Sequence, residues 1–189
     1  RIVQPGAPGE ASRTYTGAGL DEIEGAAYTE ADIRFMRGMI HHHAQALEMT
    51  RLVPDRTASG SIRTLAARIT NSQRDEIATM ERWLEDRGQA TPEIHPTGHG
   101  GMRMPGMLTP EQLRELEAAR GPAFDRLFLD YMIQHHRGAV VMVHELFATD
   151  GAAQDEAVFK FASDVQVDQS TEIARMERML AALPAAGGP

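Results

Sequence analysis

Adjacent histidines occur twice in this chain, each time behind the same apolar pair. Met39-Ile40-His41-His42-His43 returns as Met132-Ile133-Gln134-His135-His136, 93 positions further on. The match extends outward, with Asp32, Phe35, Ala46 and Met49 recurring as Asp125, Phe128, Ala139 and Met142. A second block, 96 positions apart, repeats Gln73, Glu76, Ile77, Met80 and Leu84 as Gln169, Glu172, Ile173, Met176 and Leu180. A duplication that keeps polar and sulfur-bearing side chains beside apolar ones points to a role for those side chains in both copies.

On a helix, His42 and His43 fall three and four residues after Met39, so both imidazoles lie one turn on, beside the apolar stripe. His135 and His136 stand in the same relation to Met132. His41 has no counterpart, because Gln134 takes its place, and it reads as a rim residue. Glu76, between Gln73 and Met80, is a carboxylate on a largely apolar face, and Glu172 is placed likewise between Gln169 and Met176. A buried carboxylate is costly unless it is paired or coordinates a metal. The facing imidazoles are its obvious partners.

Two imidazoles, a thioether and a carboxylate make a transition-metal site. In the first copy the candidate ligands are Met39, His42, His43, Glu76 and Met80; in the second they are Met132, His135, His136, Glu172 and Met176. Met49 and Met142 lie alongside, and Gln73 and Gln169 are expected to orient the imidazoles. Imidazole suits Zn, Cu, Fe and Ni, whereas thioether favours Cu(I). With 11 Met and 8 His in the chain, copper leads the other transition metals. His95, His99, Met102, Met104 and Met107, spaced by Gly and Pro, form a separate candidate soft-ligand site. The competing reading is a metal-free His–Glu–Gln hydrogen-bond network that fixes how the two halves dock, with methionine as packing.

These residues need long helices to position them. Thr29, followed by Glu30 and Asp32, opens a first helix. Ile33, Met36, Met39, Ile40, Leu47 and Val53 give it a helical period, and Pro54 is expected to end it. A second helix is predicted over 59–87, with Gly88 as its stop. Thr109-Pro110-Glu111-Gln112 starts a short helix running to about residue 120. A third long helix follows over about 121–149 and a fourth over about 153–183. No strand pattern competes. The fold predicted is therefore all-α: a four-helix bundle made of two duplicated hairpins. Repeat one spans 29–87, a linker with the short helix 88–120, and repeat two 121–183. A long crossover between hairpins is the connection that ferritin-like bundles use. Residues 1–28 read as a flexible leader and 184–189 as a tail.

Composition narrows the function. A net charge of −8, with no basic run, argues against nucleic acid. No apolar stretch reaches the length of a membrane span. Cysteine is absent, which excludes disulfides, thiolate metal sites and cysteine nucleophiles. A di-iron carboxylate centre needs Glu-x-x-His, but Thr79 follows Glu76 at that spacing and Arg175 follows Glu172. His144-Glu145 leads to Ala148 rather than to a second histidine, so no zinc-protease motif forms. There is no phosphate loop and no serine elbow. The chain opens at Arg1 without a methionine, which fits an export signal already removed and equally fits a sequence cut at an arbitrary boundary.

The combination of segments 39–49, 73–80, the Met-Pro-Gly-Met of 104–107 and the Phe-Asp-x-x-Phe-Leu of 124–129 resembles the domain of unknown function 305 family. The likeness covers about residues 29–183. It implies a ferritin-like helical bundle in exported bacterial proteins, some of whose relatives are linked to copper through Met and His ligands. The sequence thus points to an exported metal-binding protein, with copper sequestration or delivery ahead of a metal-dependent redox enzyme or a structural, partner-binding bundle. Self-association into a homo-oligomer is compatible with each of these.

Overall fold

The computed structural model describes residues 2–4, 13–15, 28–93 and 104–184. Four helices of 27 residues dominate: α1 (Glu30–Arg56), α2 (Gly60–Asp86), α4 (Gly121–Phe147) and α5 (Glu156–Ala182). At 1.5 Å per residue each is about 40 Å long. The short α3 (Pro110–Ala118) lies in the connector. No helix is long and apolar enough to cross a membrane among the described residues. α1 packs on α2, α4 packs on α5, and the hairpins meet mainly through α1 and α4. The all-α bundle of two hairpins is therefore the fold.

The predicted caps form. Thr29 and Asp32 make a reciprocal capping box at α1, and Thr109 and Gln112 make one at α3 with Pro110 in the first turn. Two boundaries differ from expectation. Pro54 does not end α1, which continues to Arg56. So close to the C-terminus a proline removes only one ladder bond, and the Thr57 N–H still reaches the Val53 carbonyl. α5 begins at Glu156, capped by Asp155, because Ala153 adopts a left-handed φ of 54°. That conformation aims the Ala153 N–H at Asp32 Oδ1, 2.7 Å away. Within the segment read as a leader, β1 (Ile2–Gln4) and β2 (Arg13–Tyr15) pair antiparallel, a hairpin the sequence reading did not anticipate. Its Ile, Val, Thr and Tyr are strand formers, but three residues per strand is too short a run to show a period.

The apolar interior divides into two clusters related by the duplication. One holds Met39, Met80 and Met142; the other holds Met132, Met176 and Met49, their repeat counterparts. Along α1 the boundary falls between Ile40 and Ala46, and along α4 between Ile133 and Ala139. The histidine pairs occupy that boundary. Asp155 ties the hairpins together at one end by accepting from Arg87 at 2.6 Å and from Trp83 Nε1 at 3.3 Å.

The connector returns to the bundle as a strap, residues 104–109, laid across α4 and α1. Gly106, at φ 74°, and Gly138 of α4 touch backbone to backbone. A Cβ on Gly138 would overlap the Pro105 carbonyl, and one on Gly106 would lie 2.6 Å from the Gln134 carbonyl oxygen. Gln45 then clamps Leu108 on both sides, donating to its carbonyl at 3.2 Å and accepting from its N–H at 2.8 Å.

Candidate metal centre

His42, His43, His135 and His136 are all buried to within 1%. Their burial follows from helical spacing, since each pair lies one turn beyond a core methionine. The four form one layer rather than two separate centres. The His42 and His135 rings lie side by side with centroids 3.8 Å apart, and His43 and His136 flank them at 6.4 and 6.2 Å from their neighbours.

Each Nε2 faces a group that accepts. His43 Nε2 pairs with Glu76 Oε2, and His136 Nε2 with Glu172 Oε2 at 2.7 Å. His42 Nε2 donates to the Pro105 carbonyl at 3.0 Å, and His135 Nε2 to the His42 carbonyl at 2.8 Å. Carbonyls and carboxylates cannot donate, so the proton of each neutral ring sits on Nε2. Every Nδ1 is then a bare lone pair. All four Nδ1 atoms are buried without a hydrogen-bond partner. An imidazole whose far nitrogen is held by a carboxylate or carbonyl, with the near one free, is the arrangement found in metal-ligating histidines.

Electrostatics keeps the central His42 and His135 rings neutral. Burial, reinforced by the neighbouring His43, lowers the pKa of His42 to about 3 although the Pro105 carbonyl opposes the shift. Burial also drives His135 well below the ordinary range, with His42, His136 and His43 adding repulsion. Neutral imidazole is the form that ligates.

Met39, Met80, Met132 and Met176 are fully buried in the apolar clusters on either side of the layer, as is Met49, while Met142 is 8% exposed. Glu76 and Glu172 act on the far nitrogens of His43 and His136. Gln73, expected to orient an imidazole, does not: both atoms of its buried amide lack a partner, because carboxylates and backbone carbonyls already take the Nε2 protons. Gln169 is buried at the matching position. Of the linker candidates, His95, His99 and Met102 lie outside the described residues, while Met104 and Met107 belong to the strap.

Two participants escaped the sequence reading. Pro105 contributes only a backbone carbonyl, which leaves no side-chain signature. Asp168 of α5 has its pKa raised by burial and then by Glu76, Glu172 and Asp164. Its repeat counterpart is Ser72, which donates to Glu76 Oε1 at 3.0 Å, so duplication could not flag it.

Residues 32–180 match the family model described as Domain of unknown function (DUF305). The chain belongs to the DUF305 family. A solved DUF305 protein from Streptomyces coelicolor, proposed to be secreted, is 31% identical, covering 84% of this chain and 96% of that one with a TM-score of 0.71. A DUF305 fragment from Deinococcus radiodurans is 32% identical, covering 82% of this chain and 99% of the fragment with a TM-score of 0.73. CopM in a Cu(II)-bound form is 27% identical, covering 79% of this chain and 95% of CopM with a TM-score of 0.64. CopM has also been solved in a Cu(I)-bound form. A curated relative, the uncharacterized protein L153 of Acanthamoeba polyphaga mimivirus, is 38% identical over 56 residues, so the match spans 37% of its length.

Proposed function

We propose that this DUF305 protein binds a transition-metal ion at the histidine layer, with copper as its cargo. Its role is sequestration or delivery outside the cytoplasm rather than catalysis. The observation that carries the reading is the set of four buried Nδ1 lone pairs without partners. A buried polar atom without a hydrogen bond costs about 1–3 kcal/mol. An ion drawing on these lone pairs would recover that cost. Copper is favoured among imidazole-binding metals by the likeness to CopM, whose copper-bound forms are 26–27% identical to this chain. Export is supported by the likeness to the Streptomyces protein proposed to be secreted.

The donors in this reading are the Nδ1 atoms of His42, His43, His135 and His136. Glu76, Glu172 and the Pro105 and His42 carbonyls hold the outer protons and fix ring orientation. Methionine sulfurs supply a soft, dry surround. Titrating the metal-free protein with Cu(II) tests this, using His42→Ala/His135→Ala and His43→Ala/His136→Ala variants. Wild type is expected to bind more tightly than either. Equal affinity in all three proteins overturns the reading.

A second reading has an observation in its favour. Among the described residues, no three His, Asp or Glu side chains are already gathered around one point that would hold an ion. The layer would then be a metal-free docking surface between hairpins. It predicts that copper leaves the melting temperature of wild type unchanged, while the double variants melt far lower without any change in copper affinity.

A further inference from the structure

The groove between α1 and the strap gathers soft ligands beside the histidine layer. Gly38 of α1 has no side chain, and two thioethers meet over it. A Cβ built on Gly38 would lie 3.4 Å from the Met142 methyl carbon and 3.5 Å from the Met104 sulfur. One residue comes from the strap and the other from α4. His41 lies one turn further along α1 and lines the same groove.

The duplication sharpens the point. Shifted by 93, Gly38 becomes Tyr131 and His41 becomes Gln134. In the second half those positions hold the connector: Tyr131 donates to Glu115, and Gln134 donates to the Gly106 carbonyl at 3.3 Å. In the first half the same two positions instead leave space for two sulfurs and present an imidazole. Met49, the counterpart of Met142, is fully buried, whereas Met142 borders the groove. The halves thus diverge where the thioethers converge.

We infer that Met104, Met142 and His41 form a second site for a soft monovalent cation, Cu(I), beside the histidine layer but sharing none of its donors. Thioether is a neutral, polarisable donor that selects Cu(I) over harder ions. A donor set without a carboxylate suits a single positive charge better than a double one. Because the site opens to the groove, an ion reaches it without unpacking the bundle.

The test uses the full chain under anaerobic, reducing conditions, with Cu(I) titrated against a chromophoric Cu(I) chelator. The first variant is Met104→Leu/Met142→Leu, which keeps apolar volume and removes both sulfurs. It is expected to lose about one equivalent of chelator-resistant Cu(I), and X-ray absorption of the loaded protein is expected to lose sulfur scattering. His41→Ala is expected to weaken the same equivalent by about tenfold or more. The His43→Ala/His136→Ala protein, in which the His42 contact to the Pro105 carbonyl of the strap is left intact, is expected to keep it. Retention of full Cu(I) binding by the double leucine variant overturns the inference. So does loss of the same equivalent from the histidine variant, which would merge the two sites. Loss of Cu(II) binding in the histidine variant alone bears only on the layer.

Discussion

The ring of His42 lies against the ring of His135, with centroids 3.8 Å apart and planes inclined by 39°. The two hairpins therefore meet at a pair of bases rather than at an apolar seam. The pair is not symmetric. His135 donates to the His42 carbonyl, but His42 donates to Pro105 of the strap, outside either hairpin. One contact joins the halves directly, and the other requires the connector to be in place.

Protonation of either ring would set a charge in a dry interior against a neighbouring imidazole. In the unfolded chain histidine titrates near about 6.5, whereas burial holds His42 at about 3 and lowers His135 in the same direction. The unfolded state therefore takes up protons first as pH falls, so stability is fully present above the unfolded value and is lost below it, down to the folded value. For His42 alone the loss at pH 5 is about 2 kcal/mol. The metal-free protein is expected to show a melting temperature that drops steeply from pH 7 to pH 5. A His42→Phe/His135→Phe variant should give a flatter profile. A wild-type melting temperature independent of pH across that window would contradict the assignment of neutral buried rings.

The glutamates are expected to act through the imidazoles they face. Glu76 and Glu172 accept from Nε2 of His43 and His136, which raises the basicity of the opposite nitrogen. Glu76→Gln and Glu172→Gln keep shape but remove the charge. Each is expected to weaken Cu(II) binding by about 10–100-fold, measured by competition with a chelator of known affinity. Unchanged affinity in both would mean that His43 and His136 do not ligate.

Asp32 and Asp125 are repeat counterparts with opposite fates. Asp32 accepts from the Thr29 N–H at 2.7 Å, the Thr29 hydroxyl at 2.9 Å and the Ala153 N–H at 2.7 Å. Asp125 is also buried, but its Oδ1 has no partner. Asp32→Asn turns an amide group toward these donors and is expected to cost about 2–3 kcal/mol in denaturant unfolding. Asp125→Asn replaces a buried carboxyl group whose Oδ1 has no partner and should be neutral or stabilising. Equal losses at the two positions would refute this account.

Much of the architecture was legible because it is local. Thr29, Ser59 and Thr109 mark helix starts with their own side chains, and the Met-x-x-His-His spacing places both imidazoles by geometry within one helix. Pairing of His43 with Glu76 and of His136 with Glu172 also lies within single hairpins, so the repeat disclosed it. What the sequence did not reveal concerns relations between hairpins. Periodicity fixes which face of α1 is buried but not that His42 will lie on His135, so two centres were expected where one layer forms. Gly138 and Gly106 were silent in the sequence, since neither interrupts a pattern, although their contact seats the strap. Asp168 was silent for the opposite reason: its counterpart is Ser72.

The strap offers the most direct check on that architecture. Gly138 is the point where α4 and the connector touch through backbone atoms, and a Cβ there would overlap the Pro105 carbonyl. Backbone cannot yield as a side-chain end can, so Gly138→Ala must lift the strap off α4. The same carbonyl holds the His42 Nε2 proton. Despite the higher helix propensity of alanine, the variant is expected to lose about 1–3 kcal/mol. Gly60→Ala, where a Cβ meets nothing within 4 Å, should be neutral or stabilising. Lifting the strap also frees His42 to rotate, so the His42 ring resonances of Gly138→Ala should shift and broaden in nuclear magnetic resonance spectra. A Gly138→Ala protein with wild-type stability and unaltered His42 resonances would show that the Pro105 carbonyl does not hold the ring.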